Sequence, residues 1–258
     1  MPTFTNAIVR PPGSSIVYGL TGADRGVPDY KKALEQHRQY VTALETCGLE
    51  VRVLDADENL PDSTFVEDVA VLTPHCAVIT RPAASSRADE VESIRPVLGD
   101  YYSQIVEIIA PGTLDGGDVM QIGVHFYIGL STRTNLAGAE QLIEILQCYG
   151  MTGSTVPVTE FLHLKTGVTC VTGKSLLAAG EFISRPEFSE FTILPVPDGE
   201  TGAANCIRIN GKILMPAGFP QVREKLITAG EQIVEIDISE YAKLDGGLTC
   251  LSLRFNDS

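Results

Sequence analysis

The sequence contains no apolar run as long as the roughly 18 residues that a membrane-spanning helix requires. Basic residues are scarce, since 19 Lys and Arg stand against 33 Asp and Glu and the net charge is −14. This balance disfavours nucleic acid and anionic membranes as partners, whereas a cationic small molecule is compatible with it. The first five residues lack a basic segment followed by an apolar core, so we expect no signal peptide.

Zinc-binding and redox motifs are also missing, because the six cysteines are scattered and form no CxxC pair. Several lie in apolar segments such as Cys76-Ala77-Val78-Ile79, a context typical of buried and reduced thiols. We therefore expect a cytoplasmic protein in which every cysteine except Cys250 belongs to the core.

A pattern of two short apolar runs around a turn recurs along the chain. An Asn-Gly turn between such runs, as at Asn210-Gly211, is a strong hairpin signal. Helical patterns follow most of these hairpins, and a further strand follows each such helix. After the third hairpin, residues 180–191 give only a weak helical pattern. The predicted turns lie at 73–75, 123–125, 172–174 and 210–212, and the helices at 88–101, 137–149 and 221–229.

The repeating unit is therefore a hairpin, a helix and a strand, at intervals of roughly 40 to 50 residues, which is typical of propellers and arrays. The N-terminal strand and residues 250–255 supply the two parts of one more unit, so the chain ends would close a ring. We predict a five-bladed α/β propeller of ββαβ repeats, formed by residues 1–258 as a single catalytic domain. An open α/β sheet is the alternative, but no Gly-rich turn follows the first strand, and frequent hairpins suit an all-parallel sheet poorly.

Cys250 differs from the other thiols because it follows a glycine pair and begins an apolar run. The segment before it, Leu244-Asp245-Gly246-Gly247, repeats Leu114-Asp115-Gly116-Gly117, and His163 enters the third hairpin. In a closed ring these strand starts converge on one end of the axis. A thiolate is a nucleophile and a histidine transfers protons near neutral pH, so the set predicts a catalytic site. A core thiol and a structural histidine are the alternative interpretation.

Carboxylates also gather at the predicted strand starts, at Asp62, Glu67, Asp68 and Asp115. Carboxylates crowded into a cleft repel one another unless a cation joins them. A planar guanidinium matches paired carboxylates in geometry and charge, whereas hard metal ions usually have a denser run of ligands. Solvated loop acids are the alternative.

A bound cation would also activate the thiol. At about 4 Å and an effective dielectric constant near 20, it attracts a thiolate by roughly 4 kcal/mol. That energy lowers a thiol pKa by up to about three units, so we predict substrate-assisted ionisation of Cys250. Arg87 and Arg133 follow the first two hairpins and would bind an α-carboxylate on the substrate, unless they are surface charges.

These residues together resemble the dimethylarginine dimethylaminohydrolases of the guanidino-group-modifying (pentein) superfamily. The resemblance extends over nearly the whole chain, and its fold is a five-bladed α/β propeller, in agreement with the repeat pattern. Four motifs in this order are specific, although each alone is weak. They are Phe65-Val66-Glu67-Asp68, Leu114-Asp115-Gly116-Gly117-Asp118, Leu162-His163-Leu164-Lys165-Thr166-Gly167 and Asp245-Gly246-Gly247-Leu248-Thr249-Cys250.

The resemblance implies that Cys250 attacks the guanidinium carbon of a methylated arginine. His163 would protonate the departing amine and then help to activate water, while Asp115 would bind and polarise the guanidinium. Arg87 and Arg133 would hold the α-carboxylate, the Leu244 backbone would meet the amino group, and Leu20 would lie on a lid. The implied substrate-binding residues are Leu20, Asp62, Phe65, Glu67, Asp68, Arg87, Arg133 and Leu244.

The products would be citrulline and an alkylamine, without a cofactor. Members of the family bind inhibitory zinc at the active-site thiol, which corresponds to Cys250 here. A homodimer through the exposed propeller edges is a further expectation.

Arginine deiminase is the nearest alternative. Deiminases carry an acid two residues after the histidine, where this chain has Lys165, and they have an added helical domain. A non-catalytic propeller, such as the superfamily's ribosome-binding factor, would leave the Cys, His and Asp unexplained, and the net charge of −14 disfavours ribosomal RNA. A papain-like peptidase requires its cysteine before its histidine, the reverse of the order here.

Overall fold

A computed structural model describes residues 3–22 and 24–256. Met1 and Pro2, which entered the expectation about a signal peptide, lie outside these ranges. The strands are β1 (Asn6–Val9), β2 (Glu50–Val53), β3 (Ala70–Leu72), β4 (Ala77–Ile79), β5 (Ile105–Glu107), β6 (Val119–Ile122), β7 (His125–Leu130), β8 (Thr152–Pro157), β9 (Val168–Thr172), β10 (Ser175–Ala178), β11 (Thr192–Pro195), β12 (Ile207–Ile209), β13 (Lys212–Pro216), β14 (Gln232–Ile236) and β15 (Leu253–Phe255). The α-helices are α1 (Tyr30–Thr46), α2 (Glu90–Leu98), α3 (Leu136–Cys148), α4 (Leu164–Gly167), α5 (Pro220–Thr228) and α6 (Ser239–Ala242).

Within these ranges the strands form five three-stranded sheets of one topology. The middle strand of each sheet is antiparallel to one neighbour and parallel to the other, as β4 is to β3 and β5. The sheet at the chain ends follows the same rule, since β1 is antiparallel to β15 and parallel to β2. This pairing, with Asn6 opposite Phe255, closes the ring and confirms the predicted fold of five ββαβ units.

The first strand of each unit lies next to the central axis. Contacts join β9 to β12, β15 to β3, and β6 to β9, whereas α1, α3 and α5 pack on the third strands of their sheets. Apolar side chains fill five buried clusters, and each cluster is shared by two neighbouring units. Ile8 of β1 and Ile79 of β4, for example, belong to one cluster. Because a buried Ile or Leu contributes about 1.5–3 kcal/mol, each interface between units stabilises the ring.

Helix α1 shows how local sequence sets an outer element. Its first turn is capped by Asp29, whose side chain accepts a hydrogen bond from the Lys32 backbone at 3.0 Å. Tyr40 and Leu44 are buried on one face, and Gly48, at φ +89°, follows the end of the helix. The cap, the buried face and the terminal glycine therefore account for the extent of α1. Among the described residues no helix has both the length and the apolar character needed to span a membrane.

The fourth unit departs most from the expectation. Residues 180–191 form two short 3₁₀ segments, Gly180–Ser184 and Pro186–Phe188, in place of an outer α-helix. Strand β11 was not predicted, because it is four residues long, ends in proline and has no alternating burial. It pairs with β10 in parallel, so pairing within the sheet determines its conformation.

The expectation that all cysteines except Cys250 are in the core is wrong for two of them. Cys148 is exposed at the end of α3, whose buried face is formed by residues such as Leu142 and Leu146. Cys170 is half-buried on β9, because its side chain lies against a cavity along the central axis.

Candidate active site

A single helical turn precedes the first strand of every unit in the described chain. Neighbouring turns contact one another around the axis, so side chains on or beside them meet at one end of the propeller. This arrangement agrees with the expected convergence of strand starts. The turns are Val66–Val69, Gly116–Asp118, Leu164–Gly167, Thr201–Ala204 and Thr249–Leu251.

A narrow pocket of about 30 Å³ lies at this end of the axis. All of the residues predicted for the site line it, except Glu67 and Asp115. Leu162, Asp245 and Gly246 complete its wall. The predicted residues that line it are Leu20, Asp62, Phe65, Asp68, Arg87, Arg133, His163, Leu244 and Cys250.

The thiol of Cys250 is held on the last of the helical turns. Gly247 must be a glycine, because a Cβ there would lie 2.4 Å from the Asn205 side chain. The Gly247 N–H points toward the Cys250 Sγ at 3.5 Å. Burial, followed by the nearby carboxylates of Asp68 and Glu67, raises the pKa of Cys250 to about 12. The resting side chain is therefore a thiol rather than a thiolate, as the sequence predicted.

The imidazole of His163 lies beside a glycine and two acids. Its Nε2 is 3.1 Å from Asp115 Oδ2, and a Cβ on Gly117 would come within 2.7 Å of its Nδ1. Burial disfavours the charged ring, but the carboxylates of Asp68, Asp115 and Asp118 outweigh it and raise the pKa of His163 to about 9. The histidine is consequently an imidazolium at neutral pH and can donate a proton.

Asp68 joins the acidic part of the pocket to a buried arginine. Its Oδ1 accepts from the Gly117 N–H at 2.9 Å, and its Oδ2 accepts from Arg87 Nη1 at 2.5 Å. Burial would raise the pKa of this carboxyl, but His163 and Arg87 lower it to about 2. Asp68 is therefore a carboxylate throughout the neutral range.

Two further carboxylates attach the Leu20 segment to the rim of the pocket. Both oxygens of Asp62 accept from the Leu20 N–H, at 3.0 and 3.2 Å, and Asp245 Oδ2 accepts from the Gly22 N–H at 2.7 Å. The Leu20 segment is therefore held beside the pocket that Leu20 lines, and its role as a lid stays a prediction from the resemblance. Arg133 is more accessible than Arg87, with 20% of its side chain exposed, and its Nη1 is 3.8 Å from Asp115 Oδ2.

Glu67 lies behind the pocket rather than on its wall. It borders a cavity of about 170 Å³ along the axis, where its Oε1 pairs with Lys165 at 2.6 Å and Arg254 at 2.8 Å. Neighbouring side chains of one helical turn point in different directions, so Asp68 faces the pocket and Glu67 faces the axis. Glu67 therefore does not line the pocket, and its direct contact with the substrate remains a prediction.

Sequence reasoning missed three residues that organise the site. Asp118 accepts from the Leu164 N–H at 2.9 Å, and it had a signal, since it closes one of the family motifs. Asn205 joins the histidine and cysteine segments, because it donates to the Lys165 carbonyl and accepts from the Thr249 N–H. Glu90 binds Arg87, and its only signal was the i,i+3 spacing from that arginine on a helical pattern.

One group of side chains in the described part of the chain has the composition and spacing of a metal site. One atom each of Asp68, Asp115 and His163 lies within 4.8 Å of the others, and Cys250 is not in this group. The charges of these carboxylates are already opposed by Arg87 and the imidazolium. The cluster therefore suits proton transfer and cation binding, and inhibitory zinc at Cys250 stays a prediction from the resemblance.

The fold and the pocket together define a class of protein, the penteins, in which a cysteine, a histidine and carboxylates meet at one end of a five-unit α/β ring. The family model described as N,N dimethylarginine dimethylhydrolase, eukaryotic, matches residues 28–252. The N(G),N(G)-dimethylarginine dimethylaminohydrolase of Pseudomonas aeruginosa is 51% identical over 253 residues, covering 98% of this chain and 100% of that protein. Its counterpart from Streptomyces coelicolor is 38% identical and covers 97% of each chain. This chain belongs to the dimethylarginine dimethylaminohydrolase family.

Solved structures agree with this assignment. The Pseudomonas aeruginosa protein, as a cysteine-to-serine variant complexed with citrulline, superposes with a TM-score of 0.97 at 49% identity and covers 98% of this chain and 100% of that chain. The N-terminal domain of ArgZ, a cyanobacterial arginine dihydrolase, superposes with a TM-score of 0.89 at 18% identity and covers 99% and 98%. At that identity the second likeness shows the fold alone.

Proposed function

We propose that this protein hydrolyses Nω,Nω-dimethylarginine and Nω-methylarginine to citrulline and dimethylamine or methylamine. The observation that carries the proposal is the meeting of a buried thiol, an imidazolium and carboxylates in one narrow pocket of a chain from this family. A cationic amino acid is the substrate class that this charge pattern supports, and the reaction needs water but no cofactor.

Substrate binding follows from the charges around the pocket. Asp68 and Asp62 present carboxylates to a guanidinium. Asp115, whose Oδ2 lies 3.1 Å from His163 Nε2, binds and polarises the same guanidinium. Arg133 and Arg87 take the α-carboxylate at the other end of the substrate. The Leu244 backbone meets the amino group, Phe65 contributes an apolar wall, and the Leu20 segment covers the bound molecule.

The reaction begins when the guanidinium enters and lowers the pKa of Cys250 from its resting value of about 12, so that the thiol releases its proton to solvent and becomes a thiolate. The thiolate Sγ attacks the guanidinium carbon and forms a tetrahedral adduct. The bond from that carbon to the methylated nitrogen breaks, and His163 donates its proton to the departing amine. A covalent thiouronium on Cys250 and a neutral imidazole remain.

Water completes the reaction. Neutral His163 accepts a proton from a water molecule as its oxygen attacks the thiouronium carbon. The carbon–sulfur bond then breaks, the hydroxyl proton of the tetrahedral adduct passes to the departing sulfur, and citrulline leaves with Cys250 again a thiol. His163 ends this step as an imidazolium again, held by Asp115 and Asp68, so both groups are ready for another substrate.

The position of Lys165 favours methylated substrates over arginine. Its ammonium pairs with Glu67 behind the pocket, where deiminases have an acid near the guanidinium. One acid fewer leaves less negative charge for an unmethylated nitrogen and more room for methyl groups. Arginine deiminase activity remains the alternative that the substrate comparison below tests.

We further propose that residues 1–258 act as one catalytic domain, because both ends of the chain share a sheet. The wall of the pocket draws on residues from Leu20 to Cys250, so no smaller piece of the chain contains the site. A cytoplasmic location and a homodimer are carried forward from the sequence as predictions.

The test is release of citrulline and alkylamine from dimethylarginine, methylarginine and arginine, by the wild type and by Cys250→Ser. We expect release from the methylated substrates, little from arginine and none from the variant. Cys170→Ser is the matched control, because Cys170 follows a similar Gly-x-Thr segment but lies on strand β9 and borders the axial cavity instead of the pocket. Preference for arginine would indicate a deiminase, and full activity of Cys250→Ser would refute the assigned nucleophile.

A further inference from the structure

We propose that Glu90 is a positioning residue for substrate recognition, because it fixes the orientation in which Arg87 faces the pocket. This inference rests on the proposed function, in which Arg87 binds the α-carboxylate of the substrate. Glu90 is the first residue of α2 and lies outside the pocket wall. Its effect on the substrate must therefore pass through the arginine.

The hydrogen bonds of Arg87 account for four of its five N–H groups. Nε and Nη2 donate to Glu90 along one edge of the guanidinium, with Nε–Oε1 at 3.0 Å and Nη2–Oε2 at 2.7 Å. The second N–H of Nη2 points at the Phe65 carbonyl, 3.0 Å away. One N–H of Nη1 donates to Asp68 at 2.5 Å. Among the described residues the second N–H of Nη1 has no acceptor, which leaves one donor for a ligand.

The bidentate contact with Glu90 determines that the N–H group left for a ligand belongs to Arg87 Nη1. A guanidinium and a carboxylate meet in a planar fork, so Glu90 fixes the plane and the rotation of the Arg87 head group. With the Nε–Nη2 edge held by Glu90, Nη1 is left on the side where Asp68 lines the pocket. Without Glu90 the guanidinium could rotate about its long side chain, and its free donors would no longer have a defined direction.

The contact between Glu90 and Arg87 is buried, so its loss would not be compensated easily. Glu90 is 3% exposed and Arg87 is 4% exposed, so water does not replace a lost partner easily. Arg87 also lies between two carboxylates, Asp68 and Glu90. Removing Glu90 would leave the guanidinium free to turn its Nη1 donor away from a substrate carboxylate. The reacting end of the substrate, at Cys250 and His163, makes no contact with Glu90.

The experiment compares methylarginine with Nω-methylagmatine, which has the same guanidinium but lacks the α-carboxylate. Both are measured as substrates, and methylagmatine also as an inhibitor, with the wild type, Glu90→Gln and Glu92→Gln. Glu92 is the matched control because it is exposed on the same helix. We expect Glu90→Gln to raise the KM of methylarginine at least tenfold, about 1.4 kcal/mol, while kcat/KM and the inhibition constant of methylagmatine stay at wild-type values.

Each other outcome overturns a different statement. Equal losses on both compounds would mean that Glu90 only supports the fold, and unchanged kinetics would mean that it has no role. If the wild type itself released nothing from methylarginine, the proposed function would fail and this inference with it. Glu90→Asp keeps the buried charge but shortens the side chain by one methylene, so it provides the same test if Glu90→Gln does not fold. A methylarginine KM equal to that of the wild type in a folded Glu90→Asp would also refute the inference.

Discussion

Replacing Asp68 by Asn would test the electrostatics of the site most directly. The Asp68 carboxylate opposes the effect of burial on His163, and its charge is the largest single contribution that raises the pKa of His163. The substitution keeps the shape of the side chain and removes its charge. It also leaves the positive charge of Arg87 less compensated, which again disfavours an imidazolium nearby. Both effects lower the pKa of His163.

The expected size follows from the geometry. The oxygen of Asp68 and the ring nitrogen of His163 lie within 4.8 Å of each other. At an effective dielectric constant of about 20, opposite unit charges at that distance attract by roughly 3.5 kcal/mol. This energy corresponds to about 2.5 pKa units, so the pKa of His163 should fall from about 9 to about 6.5. The imidazolium would then be only partly populated at neutral pH.

Nuclear magnetic resonance titration of the imidazole signals measures this directly in the protein without substrate. The sequence has only four histidines, so the His163 signal is assigned by its loss in His163→Gln. Asp62→Asn is the control, because Asp62 lines the same pocket but is not among the groups that set the pKa of His163. A His163 pKa that stays near 9 in Asp68→Asn would refute the argument.

Three further substitutions test other contacts. Asn205→Ala leaves the Thr249 N–H and the Lys165 carbonyl without their partner, at a cost of about 1–3 kcal/mol per buried group. We therefore expect a lower kcat and a lower thermal stability, with KM retained. An unchanged kcat in steady-state assays would contradict a linking role. Asp245→Asn keeps a residue type that tolerates the observed φ of 58° but weakens the contact to the Gly22 N–H, so KM should rise several-fold at unchanged stability. A wild-type KM would mean that this contact does not hold the lid. His37 is buried, and its Nε2 has no hydrogen-bond partner in the described structure. Burial lowers the pKa of His37 from 6.5 to about 4, so the unfolded chain takes up a proton at a higher pH than the folded protein does. The free energy of unfolding therefore decreases as the pH falls from about 6.5 to about 4. His37→Leu should remove roughly 3.5 kcal/mol of that acid-side loss, as measured by urea unfolding, and an unaltered pH dependence would contradict this.

Periodicity was sufficient to predict the ring, because each unit repeats the same local signals. Short apolar runs around a turn, followed by a helical pattern and a further strand, recur in order, and the fifth unit had to use both chain ends. The missed strand β11 lacks these signals, and its four residues acquire their conformation from pairing with β10. Single-turn helices such as α4 and α6 were missed for the same reason, since one turn carries no measurable period.

The same distinction, between residues in recognisable motifs and residues outside them, separates the site residues that the sequence predicts from those that it does not. Residues in repeated or family motifs were found, because Cys250, His163 and Asp115 each stand next to a recognisable segment. Which way a side chain points is not encoded in such a motif. Glu67 and Asp68 are adjacent in sequence, yet one faces the axial cavity and the other the pocket. Asn205 and Glu90 act through partners that are distant in the motif pattern, so only the packed structure relates them to the site.

The carboxylates around the pocket have one electrostatic consequence that unifies the proposed mechanism. Because negative charge disfavours a thiolate and favours an imidazolium, the same acids hold Cys250 as a thiol and His163 as its protonated form. The resting pair therefore holds the sulfur as the less nucleophilic thiol and already carries the proton that a leaving amine needs. A guanidinium reverses only the first effect, because it lies close to the sulfur and compensates the acids there. Selectivity for a cation and activation of the nucleophile would thus arise from the same charges, and a neutral isostere of the substrate should fail at the attack step even when it binds.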